Sequence, residues 1–202
     1  MNVEMLGNGW LKSSRIILMM IRLDKLNSVM MGGLTMLYVA ASYDKKELAY
    51  LLLQNGAAVD VNESHGGTPI LSALYQSGGL ANEIVTMLYE WGASLEHRMQ
   101  GEQKALVDKI RATTPMFKNE IIKRRCEITN LDQRKDLNGQ TCIVAKYIAK
   151  KNRYKVTMEH AHETFLVGPN NLKRRDRTPN DPGYYITFED GEYKRLTFVS
   201  NE

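Results

Sequence analysis

The chain has few cysteines and no long apolar run, and these absences exclude several classes of protein. Its 202 residues include two cysteines, Cys126 and Cys142, too few for a disulfide framework or a cysteine-rich zinc site. This favours a reducing, intracellular compartment, either cytoplasmic or nuclear. An apolar run such as residues 16–21 is far too short to span a membrane. The N-terminus lacks the features of a signal peptide, so neither membrane insertion nor export is predicted.

The sequence also lacks the residue patterns of common active sites. It has no phosphate-binding loop, no dinucleotide-binding fingerprint and no H-E-x-x-H helix. His160 and His162 flank a predicted turn, but no third histidine or cysteine lies nearby to complete a metal site. The two cysteines lie in apolar, strand-like contexts, which favours structural thiols over nucleophiles. We therefore predict no enzymatic activity, no catalytic residues, no metal and no cofactor. An enzyme fragment whose catalytic part lies outside this chain stays open as an alternative.

Charge is unevenly distributed along the chain. The net charge is +4, with 20 lysines and arginines against 14 aspartates and glutamates in residues 101–202. The first hundred residues hold 7 basic and 9 acidic side chains. This difference predicts two regions with different surfaces. It is too small to indicate nucleic-acid binding by itself.

The most regular pattern in the sequence is a pair of matching segments in its first half. Thr35 and Thr68 are 33 residues apart, and Thr68 stands where its hydroxyl can cap a helix. Pro69 suits a first helical position because its missing N–H would be unpaired there in any residue. Gly56 and Gly92 follow the second helix of each segment, where the chain needs a left-handed conformation. The pattern predicts two successive helical hairpins.

This repeat resembles the ankyrin family. Its period, its Thr-Pro-Ile-Leu-Ser-Ala opening and its Gly-Ala close are those of an ankyrin repeat. The resemblance implies stacked helix–turn–helix units that form an α-solenoid. The implied organisation is ankyrin repeats over 1–125, made of a degenerate unit over 1–32, repeats over 33–65 and 66–100, and a worn unit with a capping helix over 101–125.

From residue 126 onward, short strand patterns replace the helical period. Turn residues separate these patterns, and Asp190-Gly191 is a typical two-residue hairpin turn. Residues 173–183 are predicted to be a linker. The predicted strands are 126–131, 141–147, 153–158, 164–167, 184–189 and 192–198.

This C-terminal stretch is similar to the SH3-like barrel that accompanies ankyrin repeats in some MYND-finger proteins. The similarity is carried by Leu137-Asn138-Gly139-Gln140, Arg153-Tyr154-x-Val156 and Asn171-Leu172. The cysteines of a MYND finger are absent, so no zinc function follows. We expect an α+β protein, with an N-terminal ankyrin-repeat α-solenoid and a small C-terminal SH3-like β-barrel with a β-hairpin over 126–202.

The ankyrin resemblance implies a protein-binding scaffold. In that family the hairpin tips and the first helices line a concave face that engages partners. Tyr43 and Tyr75 are the strongest candidates here, because aromatic side chains often anchor interfaces. We expect a monomer that binds a protein partner of unknown identity and no membrane. The implied partner-binding residues are Leu34, Ser42, Tyr43, Asn62, Ser64, His65, Gly67, Tyr75, Gln76, Arg98 and Gln100.

An alternative hypothesis is that the C-terminal part reads nucleic acid or a modified peptide. Basic side chains can contact phosphates, and aromatic side chains can form a cage for a methylated lysine. Core packing and an ordinary charged surface explain the same residues, and the sequence leaves these interpretations open. The basic residues are Lys150, Lys151, Arg153, Lys173, Arg174, Arg175 and Arg177. The aromatic residues are Tyr147, Tyr154, Phe165, Tyr184 and Tyr185.

Overall fold

A computed structural model of the protein describes most of the chain beyond residue 33. The described residues are 26–27, 34–61, 67–78, 82–95, 102–114, 117, 119–161, 163–189 and 192–197. Within them lie five α-helices, which are α1 Met36–Ser42, α2 Lys46–Gln54, α3 Pro69–Gln76, α4 Glu83–Glu90 and α5 Glu102–Thr113. Seven strands follow, which are β1 Arg125–Ile128, β2 Thr141–Ile148, β3 Arg153–Met158, β4 Thr164–Val167, β5 Leu172–Arg174, β6 Tyr184–Glu189 and β7 Glu192–Thr197.

Three of the predicted helix-end residues, Pro69, Gly56 and Gly92, stand where the sequence indicated. The Thr35 hydroxyl accepts a hydrogen bond from the backbone N–H of Tyr38 at 3.1 Å, which caps α1. Pro69 is the first residue of α3. Gly56 and Gly92 follow α2 and α4 with φ of +95° and +97°, a conformation that favours glycine. Thr68 also stands at an N-cap, but its buried hydroxyl makes no cap bond, so this predicted role is wrong.

The two helical hairpins, α1–α2 and α3–α4, pack side by side around one apolar core. Helix α1 contacts α3, and α2 contacts α4. The alanines Ala40, Ala41 and Ala73 are fully buried at this contact, where small side chains let the helices approach closely. Leu52 and Leu88 complete the core from the second helix of each hairpin. Burial of these apolar side chains is the main source of stability here.

The predicted ankyrin-repeat α-solenoid is wrong. The described residues hold only two helical hairpins and one further helix, α5, before the chain passes into a β-sheet. A solenoid needs a longer series of stacked units, each covering the apolar face of the one before. In this protein residues 119–124 form turns that lead into the sheet at Arg125 instead. The 33-residue pattern reflects the ends of two hairpins, which is local chemistry and does not set the number of units.

The sheet is antiparallel, with strands in the order β4–β3–β2–β1–β5. Strand β3 matches its predicted bounds, and apolar residues alternate with polar ones along it. Val144, Val156 and Ile128 are fully buried on the inner face, together with Cys126 and Cys142. The two cysteines are direct partners across β1 and β2. Strands β6 and β7 pair separately as an antiparallel hairpin, as predicted, and β6 passes close to α2.

The predicted SH3-like barrel is also wrong, because this five-stranded sheet is open. Its edge strands, β4 and β5, are not paired with each other, although only residues 168–171 connect them. Five adjacent strands span about 19 Å when flat, and so short a turn cannot bridge that distance unless the sheet curves strongly. The structure is therefore α+β, with a curved open sheet after the helical hairpins.

Two segments predicted to be peripheral form the junction between helices and sheet. The predicted capping helix is wrong, because residues 119–124 form turns and Arg125 begins β1. From these turns Ile122 packs against both apolar cores. The predicted linker is also wrong. Residues 172–174 form β5, and the chain after it returns across the junction with Arg177 buried.

Candidate functional site

Two tyrosines project from the helical hairpins. Tyr43 is 60% exposed at the C-terminal end of α1, and Tyr75 is 72% exposed in the last turn of α3. Only two other large apolar or aromatic side chains are exposed in the described parts of the chain, Tyr147 and Leu166 in the sheet. Tyr43 and Tyr75 therefore make the helical hairpins' main exposed aromatic surface, and neither ring has a role in the core.

Contacts between the hairpins bring both tyrosines to the same side of the molecule. The hydroxyl oxygens of Ser42 and Ser72 are hydrogen-bonded at 2.6 Å. Ser42 precedes Tyr43, and Ser72 lies one helical turn before Tyr75. We call Ser42, Tyr43, Tyr75 and Gln76 the tyrosine surface.

An ion pair between the next two helices borders the tyrosine surface. Lys46 in the first turn of α2 lies 3.0 Å from the carboxylate of Glu83 in the first turn of α4. This hydrogen bond and the charge of Glu83 raise the pKa of Lys46. The first turns of α2 and α4 are therefore held next to each other.

Of the predicted partner-binding residues, four belong to the tyrosine surface. Leu34 and Gly67 are half-buried, so each offers a partner less surface than the tyrosines do. The remaining predicted residues lie outside the described residues, and these are Asn62, Ser64, His65, Arg98 and Gln100.

A second group of polar residues lies buried between the helices and the sheet. Arg125 donates to the Glu159 carboxylate at 2.7 Å and makes two hydrogen bonds of 2.9 Å to the carboxylate of Asp181. Thr141 donates to Glu159 at 2.6 Å. Arg125 is 2% exposed, so these charged groups are largely removed from water and depend on one another for partners.

Arg177 joins this group to the helices. Its guanidinium donates to Glu90 at 3.0 Å and lies 2.6 Å from Glu159, and it also donates to the carbonyl of Pro182. The backbone N–H of Arg177 donates to the Glu90 carbonyl at 3.1 Å. Glu90 ends α4, so the network links a helix to a strand end and to the chain after β5. We call Glu90, Arg125, Glu159, Arg177 and Asp181 the junction cluster.

Two carboxylates of the junction cluster, Glu159 and Asp181, are held in their ionised form. Burial opposes ionisation of Glu159, but the charge of Arg177 and the hydrogen bonds from Thr141 and Arg125 outweigh it, so the pKa of Glu159 lies below its usual value. The hydrogen bond from Arg125 likewise lowers the pKa of Asp181. Neither group is held protonated near neutral pH, so neither is prepared to act as a general acid. The junction cluster is built to hold elements together.

Arg124 makes a further contact across the junction. Its guanidinium carbon lies 3.3 Å from the centre of the Tyr89 ring, a cation–π arrangement. It also donates to the carbonyls of Tyr89 and Ala93 at the end of α4. Burial lowers the pKa of Arg124. The arginine thus covers the end of α4 and supplies the carbonyls there with donors.

The aromatic residues suggested for a methyl-lysine cage do not form one in the described region. Tyr154 is buried, and its hydroxyl accepts a hydrogen bond from Asn119 at 2.8 Å. Tyr147 packs against it with ring centres 4.8 Å apart. Phe165 packs against the inner core and lies under the guanidinium of Arg134. These contacts are those of a packed core. The side chains of the other two, Tyr184 and Tyr185, lie outside the described residues.

The described residues provide no catalytic centre that we recognise. Burial raises the pKa of Cys126 to about 11 and that of Cys142 to about 12, so both thiols are protonated and unreactive near neutral pH. No three histidine, cysteine, aspartate or glutamate side chains come together as metal ligands in the parts of the chain described. None of the helices described is both long and apolar enough to cross a bilayer.

The basic residues suggested as phosphate contacts fall into two groups, those that contact other parts of the fold and those that are exposed. Arg175 pairs with Asp181 and Glu127, and Arg174 pairs with Asp176. Together with the buried Arg177, these side chains are committed to the fold. The other suggested cations are exposed, and these are Lys150, Lys151, Arg153 and Lys173.

Sequence reasoning missed the junction cluster. Glu90 and Arg177 are 87 positions apart in the chain, and no local pattern signals that they pair.

A scan against models of protein families and a search of curated proteins both found no match to this chain.

Proposed function

We propose that the protein is a non-enzymatic interaction module that binds a partner protein through the tyrosine surface. The observation that carries this proposal is the pair of exposed tyrosines at the ends of adjacent helices. Folding alone gives no reason to expose two large rings on adjacent helices. Tyrosine is enriched among residues that dominate binding energy, since it combines a large apolar ring with a polar hydroxyl.

The surroundings of the two rings support the same interpretation. The bond between Ser42 and Ser72 and the ion pair between Lys46 and Glu83 hold the helices in place before any partner arrives. A preformed surface loses little conformational freedom on binding, which favours affinity. The partner we expect is a protein segment with an apolar groove that accepts the rings and polar groups that bond to their hydroxyls.

The test compares the wild-type chain with the double variant Tyr43→Ala/Tyr75→Ala. A partner captured by the wild type is purified, and its dissociation constant is measured for each variant by calorimetry. Loss of two anchoring tyrosines is expected to weaken binding roughly tenfold or more. Thermal unfolding should change little, because both rings are mostly exposed.

Leu166→Ala is the matched control, because Leu166 is an exposed apolar side chain on the sheet, 40% accessible. The control should bind the partner as the wild type does. Unchanged affinity in the double tyrosine variant would remove the tyrosine surface from consideration. Equal loss in both variants would show that the partner binds exposed apolar groups without regard to position.

A further inference from the structure

The hairpin formed by β2 and β3 has an unusual charge composition. Residues 141–158 contain five lysines and arginines and no aspartate or glutamate. Four of these cations are exposed and Lys155 is half-buried. Within the described parts of the chain, none of the five forms an ion pair, in contrast to the arginines of the junction. We call Lys146, Lys150, Lys151, Arg153 and Lys155 the basic hairpin.

The strand register concentrates these charges. Lys146 lies directly opposite Lys155, and Arg153 lies opposite Ile148 two pairs closer to the turn. Side chains two residues apart on a strand share a face, so Lys146, Lys155 and Arg153 lie on the same face of the hairpin. Lys150 and Lys151 occupy the 3₁₀ turn that connects the two strands. The five cations therefore form one continuous patch at the tip of the hairpin.

The fold does not account for this patch. Like charges directly opposite on paired strands are destabilising, and no described carboxylate compensates them. The cations are also not needed by the groups around them. The Tyr147 hydroxyl donates to the Asn152 side chain, and Asn152 itself adopts the left-handed conformation at the turn. A set of uncompensated charges that costs stability is explained by an anionic ligand that neutralises it.

We propose that the basic hairpin binds the phosphate backbone of a nucleic acid. Four of the five cations are lysines, which act as flexible point charges and contact phosphates without requiring a fixed geometry. The patch extends over roughly 10–15 Å of strand and turn, a length along which duplex DNA carries several phosphates. The contact reads charge and carries no base recognition, so binding is independent of sequence.

A membrane surface fits this patch less well. Stable membrane attachment requires apolar side chains that insert beside the cations. In the described structure only two large apolar or aromatic side chains are exposed near the patch, Leu166, which lies opposite Lys155, and Tyr147, whose hydroxyl is bonded to Asn152. An acidic protein is the other competing ligand, and the experiment separates it.

The experiment measures binding of the full chain to two labelled probes of about 20 nucleotides, one single-stranded and one a random-sequence duplex. Neutralising three to five phosphates predicts that duplex affinity falls about 40- to 500-fold between about 50 and about 200 mM salt. The variant Lys146→Gln/Lys150→Gln/Lys151→Gln should bind roughly 20- to 200-fold more weakly and show a shallower dependence on salt.

The matched control is Lys104→Gln/Lys109→Gln/Lys135→Gln, which removes the same charge from exposed lysines elsewhere. It should change affinity less than about threefold, since long-range charge effects are screened by salt. Equal loss in both triple variants overturns the proposal, because it shows a response to net charge alone. Failure of the wild-type chain to bind either nucleic-acid probe at low salt also overturns the proposal.

Vesicles containing phosphatidylserine and a polyglutamate peptide are the competing ligands. Tighter binding to either of them than to both nucleic acids overturns the proposal. The variant Tyr43→Ala/Tyr75→Ala should bind the nucleic acids as the wild type does. This result separates failure of the present inference from failure of the proposed function.

Discussion

Replacing Arg177 with methionine should destabilise the protein far more than the same replacement at Arg134. Both arginines form a close ion pair, at 2.6 Å from Glu159 for Arg177 and at 2.7 Å from Asp136 for Arg134. The side chain of Arg177 is 3% exposed, whereas that of Arg134 is 53% exposed. The two variants remove the same side chain and a pair of similar length, so they differ mainly in burial.

The expected difference follows from the cost of leaving a charge unpaired away from water. Removing one partner of a buried ion pair costs about 3–5 kcal/mol, whereas an exposed pair contributes little because water screens its charges. Glu159 keeps Arg125 in the Arg177→Met variant, but Glu90 loses its hydrogen bond from the arginine. For a chain of this size the melting temperature changes by about 2–4 °C per kcal/mol. We therefore expect Arg177→Met to lower the melting temperature by roughly 6–20 °C.

The assay is thermal unfolding of both variants, followed in parallel by circular dichroism and by tryptophan fluorescence. A second measurement uses the double variant Arg177→Met/Glu90→Leu, in which both partners are removed together. It should recover part of the loss, because no carboxylate of this pair then remains buried. Equal losses in Arg177→Met and Arg134→Met would falsify the claim that burial makes the junction cluster critical.

Three further predictions follow from the same structure. The pKa of Glu159 lies below its usual 4.5, because the neighbouring arginines outweigh the effect of burial. The unfolding free energy should therefore fall as pH drops below about 4.5, and Glu159→Gln should show a shallower fall in urea titrations from about pH 6 to about pH 3. Gly183 has φ of +67°. A Cβ added there would lie 2.8 Å from the Glu159 carboxylate and would collide with the buried guanidinium of Arg177. Gly183→Ala should cost about 2–5 kcal/mol in urea unfolding, against about 1 kcal/mol for Gly139→Ala, where a Cβ meets open space. Cys126 and Cys142 should react with a thiol reagent only as fast as the protein unfolds, and fast labelling of the native protein would contradict their burial.

Sequence reasoning was most successful where structure depends on neighbouring residues. The start of α3 at Pro69 and the left-handed Gly56 and Gly92 were predictable, because each depends on a few adjacent backbone groups. The strands β3 and β4 were likewise predictable from alternation and turns. The same local logic failed at Thr68, whose hydroxyl makes no cap bond.

The number of repeats and the closure of the sheet were not predictable in this way. Matching helix ends do not reveal whether a third hairpin follows, because that depends on what covers the last apolar face. Here Ile122 and Arg124, from a segment predicted to be helical, cover it. The predicted closed barrel failed for a similar reason, because residues 168–171 join the edges of the sheet without pairing them.

The candidate sites, too, were predictable from the sequence only in part. Tyr43 and Tyr75 were identified from the sequence, but only the contact between Ser42 and Ser72 shows that they share one side of the molecule. Three of the five cations of the basic hairpin, Lys150, Lys151 and Arg153, were named from the sequence as possible phosphate contacts. The structure adds Lys146 and Lys155, which lie opposite each other on paired strands.

Local order in this protein, meaning its helix ends, turns and strand alternation, was determined by the sequence alone, because backbone hydrogen bonds and steric limits act between near neighbours. Only the tertiary structure decided which charges are buried. Arg177 looks like one more solvated arginine in a basic segment until Glu90, 87 positions earlier, is placed beside it. Charge burial depends on which distant segments meet, and no local pattern contains that information.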